Sequence, residues 1–240
     1  MSPLLIPIAI EWVILVTTLA PIVLVGRFDS RPKLGLTLWF GSLLSSGLAA
    51  AIALAVAISS IFKTYAKLLA TPFGSTDWQS TLVVSFAPWL ILAISGIALA
   101  LINQRLEPVI IVARESKPLI DAAAKPWMTF EGHEVSTIEV PIFLAATARG
   151  RILISRVAAE ALDELELQAV LWHEVGHIRG RHNALKQLAS LVRLLSPWLT
   201  VSRALVLEVD RLVEIDADLY ALRHVEQGRL TSTRRRFLLS

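Results

Sequence analysis

The chain has 240 residues, 55% of them hydrophobic and 18% charged, where a soluble domain carries roughly 25% charged. That apolar content and a net charge of only +3 exclude a disordered chain, and the absence of cysteine excludes disulfides, thiolate nucleophiles and cysteine-held metal or iron–sulfur sites. Any metal must be held by His, Asp or Glu, and the scattered basic residues read as membrane-flanking charge, with no nucleic acid expected as partner.

Residues 1–104 hold only eight charged side chains, so the chain divides into a membrane part, 1–104, and a water-facing part. Three apolar stretches reach the about 20 residues that cross a bilayer: 4–25 with the single charge Glu11, 34–62 and 78–104. Trp39 and Trp78 lie near span ends, where interfacial aromatics are favoured. Gly41, Ser45, Ser46 and Gly47 give the second stretch a small-residue face for close helix packing. Glu11 reads as a bundle-facing or interfacial acid rather than a working group. Arg27, Arg31 and Lys33 in the first loop, with Arg105, Arg114 and Lys117 after the third stretch, outweigh Lys63 and Lys67. The positive-inside rule therefore puts the first loop and everything after residue 104 in the cytoplasm.

In the water-facing part, 108–113 reads as a short strand and 116–126 as mixed, open to helix. Residues 136–145 read as a β-branched edge strand carrying Pro141, and RILIS at 151–155 as a further strand after the Arg149-Gly150 turn. The edge around Ile138 to Phe143 could pair with an extended substrate by strand addition or be an ordinary edge strand. Asp163 with Glu166 forms a capping-box pattern, and Gly180 is a stop signal, so 164–178 should be one helix of about four turns. Residues 184–209 are apolar but hold Arg193, Pro197 and Arg203, which favours an interfacial or re-entrant helix over a fourth span. The water-facing domain runs over 105–230, and 231–240, with Arg234-Arg235-Arg236, reads as a basic tail.

The predicted helix carries His173-Glu174-Val175-Gly176-His177. Residues four apart share a helix face, so both imidazoles can point at one Zn2+. Glu174, rotated about 100° from His173, can face the same cavity without ligating and serve as catalytic base, taking a proton from water and passing it to a leaving amine. Downstream, 205–224 is strongly helical, with Asp210, Glu214 and Asp218 stacked on one face beside Ala217 and Ala221. Small neighbours permit close approach of another helix. Glu214 is therefore favoured as the third metal ligand and Asp218 as the carboxylate holding a ligand histidine by its other nitrogen. His182 and His224 are candidate oxyanion donors, weighed against a plain surface role. His133 has no partner in sequence and reads as structural.

HEVGHIRGRHN at 173–183 and EIDAD at 214–218 resemble membrane-bound gluzincin peptidases. The BlaR/MecR-type peptidases are the preferred relatives, on three N-terminal spans and the strand–turn–strand–helix run leading into the motif. The HtpX and CAAX prenyl protease group is similar more distantly. The resemblance implies an α-helical membrane protein with a small α+β zinc peptidase domain. His173, His177 and Glu214 would be its zinc ligands, Glu174 its base and Asp218 its orienting carboxylate. Ala217 and His182 stand where BlaR-type proteins often have Cys and Asp, and no final span or penicillin-binding domain follows, so β-lactam sensing is not expected. The implied substrate is a protein or peptide, either a cytoplasmic regulator such as a transcriptional repressor or a membrane protein. The competing expectation is a non-catalytic signalling or scaffold protein with a structural zinc.

Overall fold

The computed structural model describes residues 5–70, 104–108 and 121–239, with isolated positions between 86 and 102. The third apolar stretch, 78–104, and the strand expected at 108–113 lie almost wholly outside them.

Helix α1 (Leu5–Leu24) and the 39-residue α2 (Pro32–Ala70) form an antiparallel hairpin, pinned midway where Trp12 Nε1 donates to Ser45 Oγ at 3.3 Å. Ser45 and the buried Ser46 thus serve the packing face read from the sequence, whereas a Cβ added at Gly41 or Gly47 would meet nothing. Among the described residues one helical segment, Pro32–Lys67, is long and apolar enough to cross a membrane; the apolar part of α1, Ile8–Leu24, is shorter. Glu11 is exposed on α1.

A four-stranded sheet follows, built from β1 (Lys125–Phe130), β2 (His133–Ile138), β3 (Ala145–Ala148) and β4 (Arg151–Ser155) in the order β1-β2-β4-β3. β2 and β4 run parallel and the other pairs antiparallel. Both hairpins turn on two positive-φ residues, Glu131-Gly132 and Arg149-Gly150, whose twist suits adjacent strands. The strand expected at 136–145 is split: 139–144 leaves the sheet around Pro141, and the chain re-enters as β3 on the outer side of β4. The reason is local to Ser155. Its N–H donates to Leu144 O, and its Oγ accepts from Leu144 N–H while also capping α3 (Arg156–Ala161). His133 lies at the start of β2, its Nδ1 3.3 Å from Gly150 O.

Helix α4 (Glu164–Arg179) carries the expected capping box, with Asp163 and Glu166 satisfying each other's backbone N–H groups. After it come α5 (His182–Leu195), α6 (Thr200–Ala221) and α7 (Gln227–Leu239). The segment 184–209 is therefore two helices broken around Pro197, with Arg193 and Arg203 both exposed. The 14 residues of α5 extend about 21 Å, short of a hydrocarbon core of about 30 Å.

Two apolar clusters fix where α4 and α6 sit. Val170, Leu171 and Val175 of α4 pack on Val135, Ile152 and Ile154 of the sheet. On the other side, Val201, Leu205, Val209 and Leu212 of α6 pack on Leu36 and Trp39 of α2. Trp39 is thus fully buried in this core and not at a lipid interface; its partners lie about 170 residues away in sequence. A side chain at Gly35 would collide with Phe28 and Leu212, so that glycine lets α2 touch α6. The loop between α1 and α2 is also tied to α6. Buried Glu208 accepts from Gly26 N–H and Arg211, and Arg211 bonds Asp29.

Candidate metal centre

The site forms where α4 crosses α6. Gly176 makes the close approach possible, since a Cβ there would stand 3.0 Å from the Cα of Ala217. That contact sets the histidines on α4 against the acids on α6. His173 Nε2 lies 3.0 Å from His177 Nε2 and 3.4 Å from Glu214 Oε2, and His177 Nε2 lies 3.6 Å from the same oxygen. Tetrahedral zinc with bonds of 2.0–2.1 Å places its ligands about 3.3–3.4 Å apart, so this triangle of two nitrogens and one oxygen fits such an ion.

Each donor is held from behind. His173 Nδ1 is 2.8 Å from Asp218 Oδ1, a buried atom with no other partner among the described residues. Lys186 Nζ, from α5, lies 2.9 Å from Glu214 Oε1 and leaves Oε2 facing the histidines. His177 Nδ1 is 2.9 Å from His182 Nδ1. Asp210 stands apart, exposed on α6 and 3.9 Å from Lys186.

The electrostatics follow from this crowding. Burial alone would lower the His173 pKa, but hydrogen bonds to Asp218 and Glu214 outweigh it and raise the value to about 9. The two histidines beside Glu214 hold its carboxyl well below the usual range, against burial and with help from Lys186. Burial pushes Glu174 up, partly offset by His173 and His177. His182 is lowered to about 4 by burial and by His177, against the pull of Asp216.

His173, Glu174, His177, Glu214 and Asp218 all line one cavity of about 360 Å³. Its far wall is β3, through Ala145, Ala146 and Thr147, and its rim is α7, through Thr233, Arg234 and Phe237. The edge strand beside the site is therefore β3, not the 138–143 segment expected from sequence. The basic run expected as a tail is part of α7. There Arg234 bonds Asp218, Arg236 bonds Glu166 and Phe237 meets Phe143 edge-on.

Two expected donors are not brought to the cavity. His182 is buried behind His177, and exposed His224 stacks flat on Trp172 at 3.5 Å. Neither lines the cavity that holds the metal donors. Lys186, Asn183 and Arg234 do line the cavity, although the sequence marks none of them as a site residue. Asn183 Nδ2 donates to Thr147 O at 2.8 Å and lies 3.0 Å from Thr147 Oγ1, contacts across 36 residues that no local pattern announces.

Residues 114–202 match peptidase family M48. The matched segment contains His173, Glu174 and His177 and ends at the start of α6, before Glu214. It supports a zinc metallopeptidase acting on a protein or peptide, without reaching the BlaR/MecR-type subtype. No curated protein matches the chain.

Zinc needs a neutral imidazole, and His173 keeps its proton up to about 9. A zinc ion held by these donors at neutral pH would therefore have to displace that proton. Affinity should rise about tenfold per pH unit from neutrality towards 9 and then level off. Chelator-competition titrations at several pH values read this slope directly; a flat profile would remove the proton from His173.

Proposed function

We propose that this protein is an integral-membrane, zinc-dependent endopeptidase. The observation that carries the reading is the coincidence, in one cavity, of a His173–His177–Glu214 donor triangle and a buried carboxylate, Glu174, outside it. A purely structural metal clip has no need of that carboxylate.

His173, His177 and Glu214 would hold the zinc, with Asp218 orienting His173 and Lys186 holding the outer oxygen of Glu214. Bound zinc supplies a Lewis acid that polarises the scissile carbonyl and eases deprotonation of water. Glu174 takes the proton of the attacking water and delivers it to the leaving amine nitrogen. Its buried position raises its proton affinity towards the value a general base needs. An extended substrate would lie along β3, whose outer edge forms the cavity wall, adding a strand to the sheet.

The exposed apolar surface of α1 and α2 supports a place in a membrane. Leu44 and Phe62 of α2 are 75% and 69% exposed, as is Ile22 of α1 at 68%, apolar surface that a bilayer would cover. With 78–104 as a third span, the protein is multi-pass. The basic first loop packs on α6, the helix that brings Glu214, so the positive-inside rule turns the site to the cytoplasm. The substrate class is a cytoplasmic regulator, such as a repressor, or a membrane protein, with a role in signal transduction.

The test is cleavage of a mixed-sequence peptide library by detergent-purified protein, read by mass spectrometry. Internal cleavage that a chelator stops and zinc restores is expected. Intact peptides with zinc-loaded protein would favour the non-catalytic scaffold reading.

A further inference from the structure

The function proposed above uses His173, His177 and Glu214 but leaves one buried imidazole and one acid unexplained. His182 is 1% exposed, and its two nitrogens make two short contacts: Nδ1 to His177 Nδ1 at 2.9 Å and Nε2 to Asp216 Oδ2 at 3.1 Å. Asp216 is on α6, midway between Glu214 and Asp218, and lies 3.9 Å from Lys33 Nζ at the start of α2. An ionised carboxylate only accepts, so the proton between Asp216 and His182 sits on His182 Nε2. A neutral imidazole with its proton on Nε2 offers a lone pair at Nδ1. The remaining contact joins two Nδ1 atoms and needs one proton, which must then come from His177. That leaves the lone pair of His177 on Nε2, the atom in the donor triangle.

The backbone is shaped for this contact. A Cβ added to Gly180 would stand 2.0–2.8 Å from three atoms of the His182 ring, and Arg181 turns back at φ 51°. The α4–α5 turn thus folds the His182 ring against the end of α4, one turn past His177. Only a residue without a side chain at 180 leaves room for it.

We propose that His182 and Asp216 are positioning residues for a metal ligand: they fix His177 with its proton on Nδ1 and its Nε2 lone pair aimed at a divalent cation. They do for His177 what Asp218 does for His173, through one more ring. The inference rests on the metal reading of the site, and it places the α2 end at Lys33 within ion-pair reach of the same relay.

The experiment is zinc affinity by chelator competition in wild type, His182→Ala, His182→Asn and Gly180→Ala, with the visible spectrum of each cobalt-loaded protein. His182→Ala should weaken zinc binding about 10–100-fold and alter the cobalt spectrum. Gly180→Ala, which removes no polar group, should shift both in the same direction by displacing the ring. His182→Asn keeps an acceptor for the His177 proton and should recover part of the loss. Nitrogen-15 histidine spectra of zinc-loaded wild type, which need no variant, should show His182 protonated on Nε2. Wild-type affinity and spectrum in His182→Ala, or a His182 proton on Nδ1, would overturn the positioning role alone. A wild type that takes up no zinc would overturn the metal reading and this role with it.

Discussion

Glu174→Gln is expected to lower peptide cleavage by about 10²–10⁴-fold while zinc content stays at the wild-type level. The glutamine is nearly isosteric, so the packing of the 6%-exposed side chain survives. What is lost is the only carboxylate on the cavity wall that neither joins the donor triangle nor pairs with a base among the described residues. Steady-state rates on the best library peptide, with zinc per chain from the same preparation, separate chemistry from metal loading. Activity within tenfold of wild type would remove Glu174 as the base.

Glu214→Ala is expected to have the larger effect on the metal. It deletes one of three donors and leaves Lys186 Nζ, now without its 2.9 Å partner, facing two imidazoles. A cation beside the site repels zinc as well as failing to hold it. The loss in affinity should therefore exceed the roughly 100-fold typical of removing an outer partner. Lys186→Met in the same background should recover a small part. The measurement is the dissociation constant by chelator competition at fixed pH. A Glu214→Ala affinity within tenfold of wild type would hand the third position to Asp218.

The parts of the site that were legible in sequence are those set by helix periodicity. The capping box at Asp163 and Glu166, the His173–His177 pair and the Glu214–Asp218 spacing depend only on neighbours three or four residues away. The structure shows the same spacing on α4 and α6. The misread features depend on contacts distant in sequence. Trp39 is apolar near the end of an apolar run, which fits an interface, but α6 covers it. The strand at 136–145 had the right composition, yet Ser155 captures Leu144 and moves the chain to the far side of β4. His182 looks like a free donor in HIRGRHN until the turn at Gly180 and Arg181 folds it behind His177. The arginines at 234–236 read as a basic tail because the partners of Arg234 and Arg236, Asp218 and Glu166, lie 16 and 70 residues away.

The most direct test of the metal centre is the zinc K-edge absorption spectrum of the 240-residue protein loaded with one equivalent of zinc. The site described here predicts a four-coordinate shell of nitrogen and oxygen at about 2.0–2.1 Å, with the multiple scattering of two imidazoles. A shell with three imidazoles, one imidazole or only oxygen would contradict a centre made by His173, His177 and Glu214.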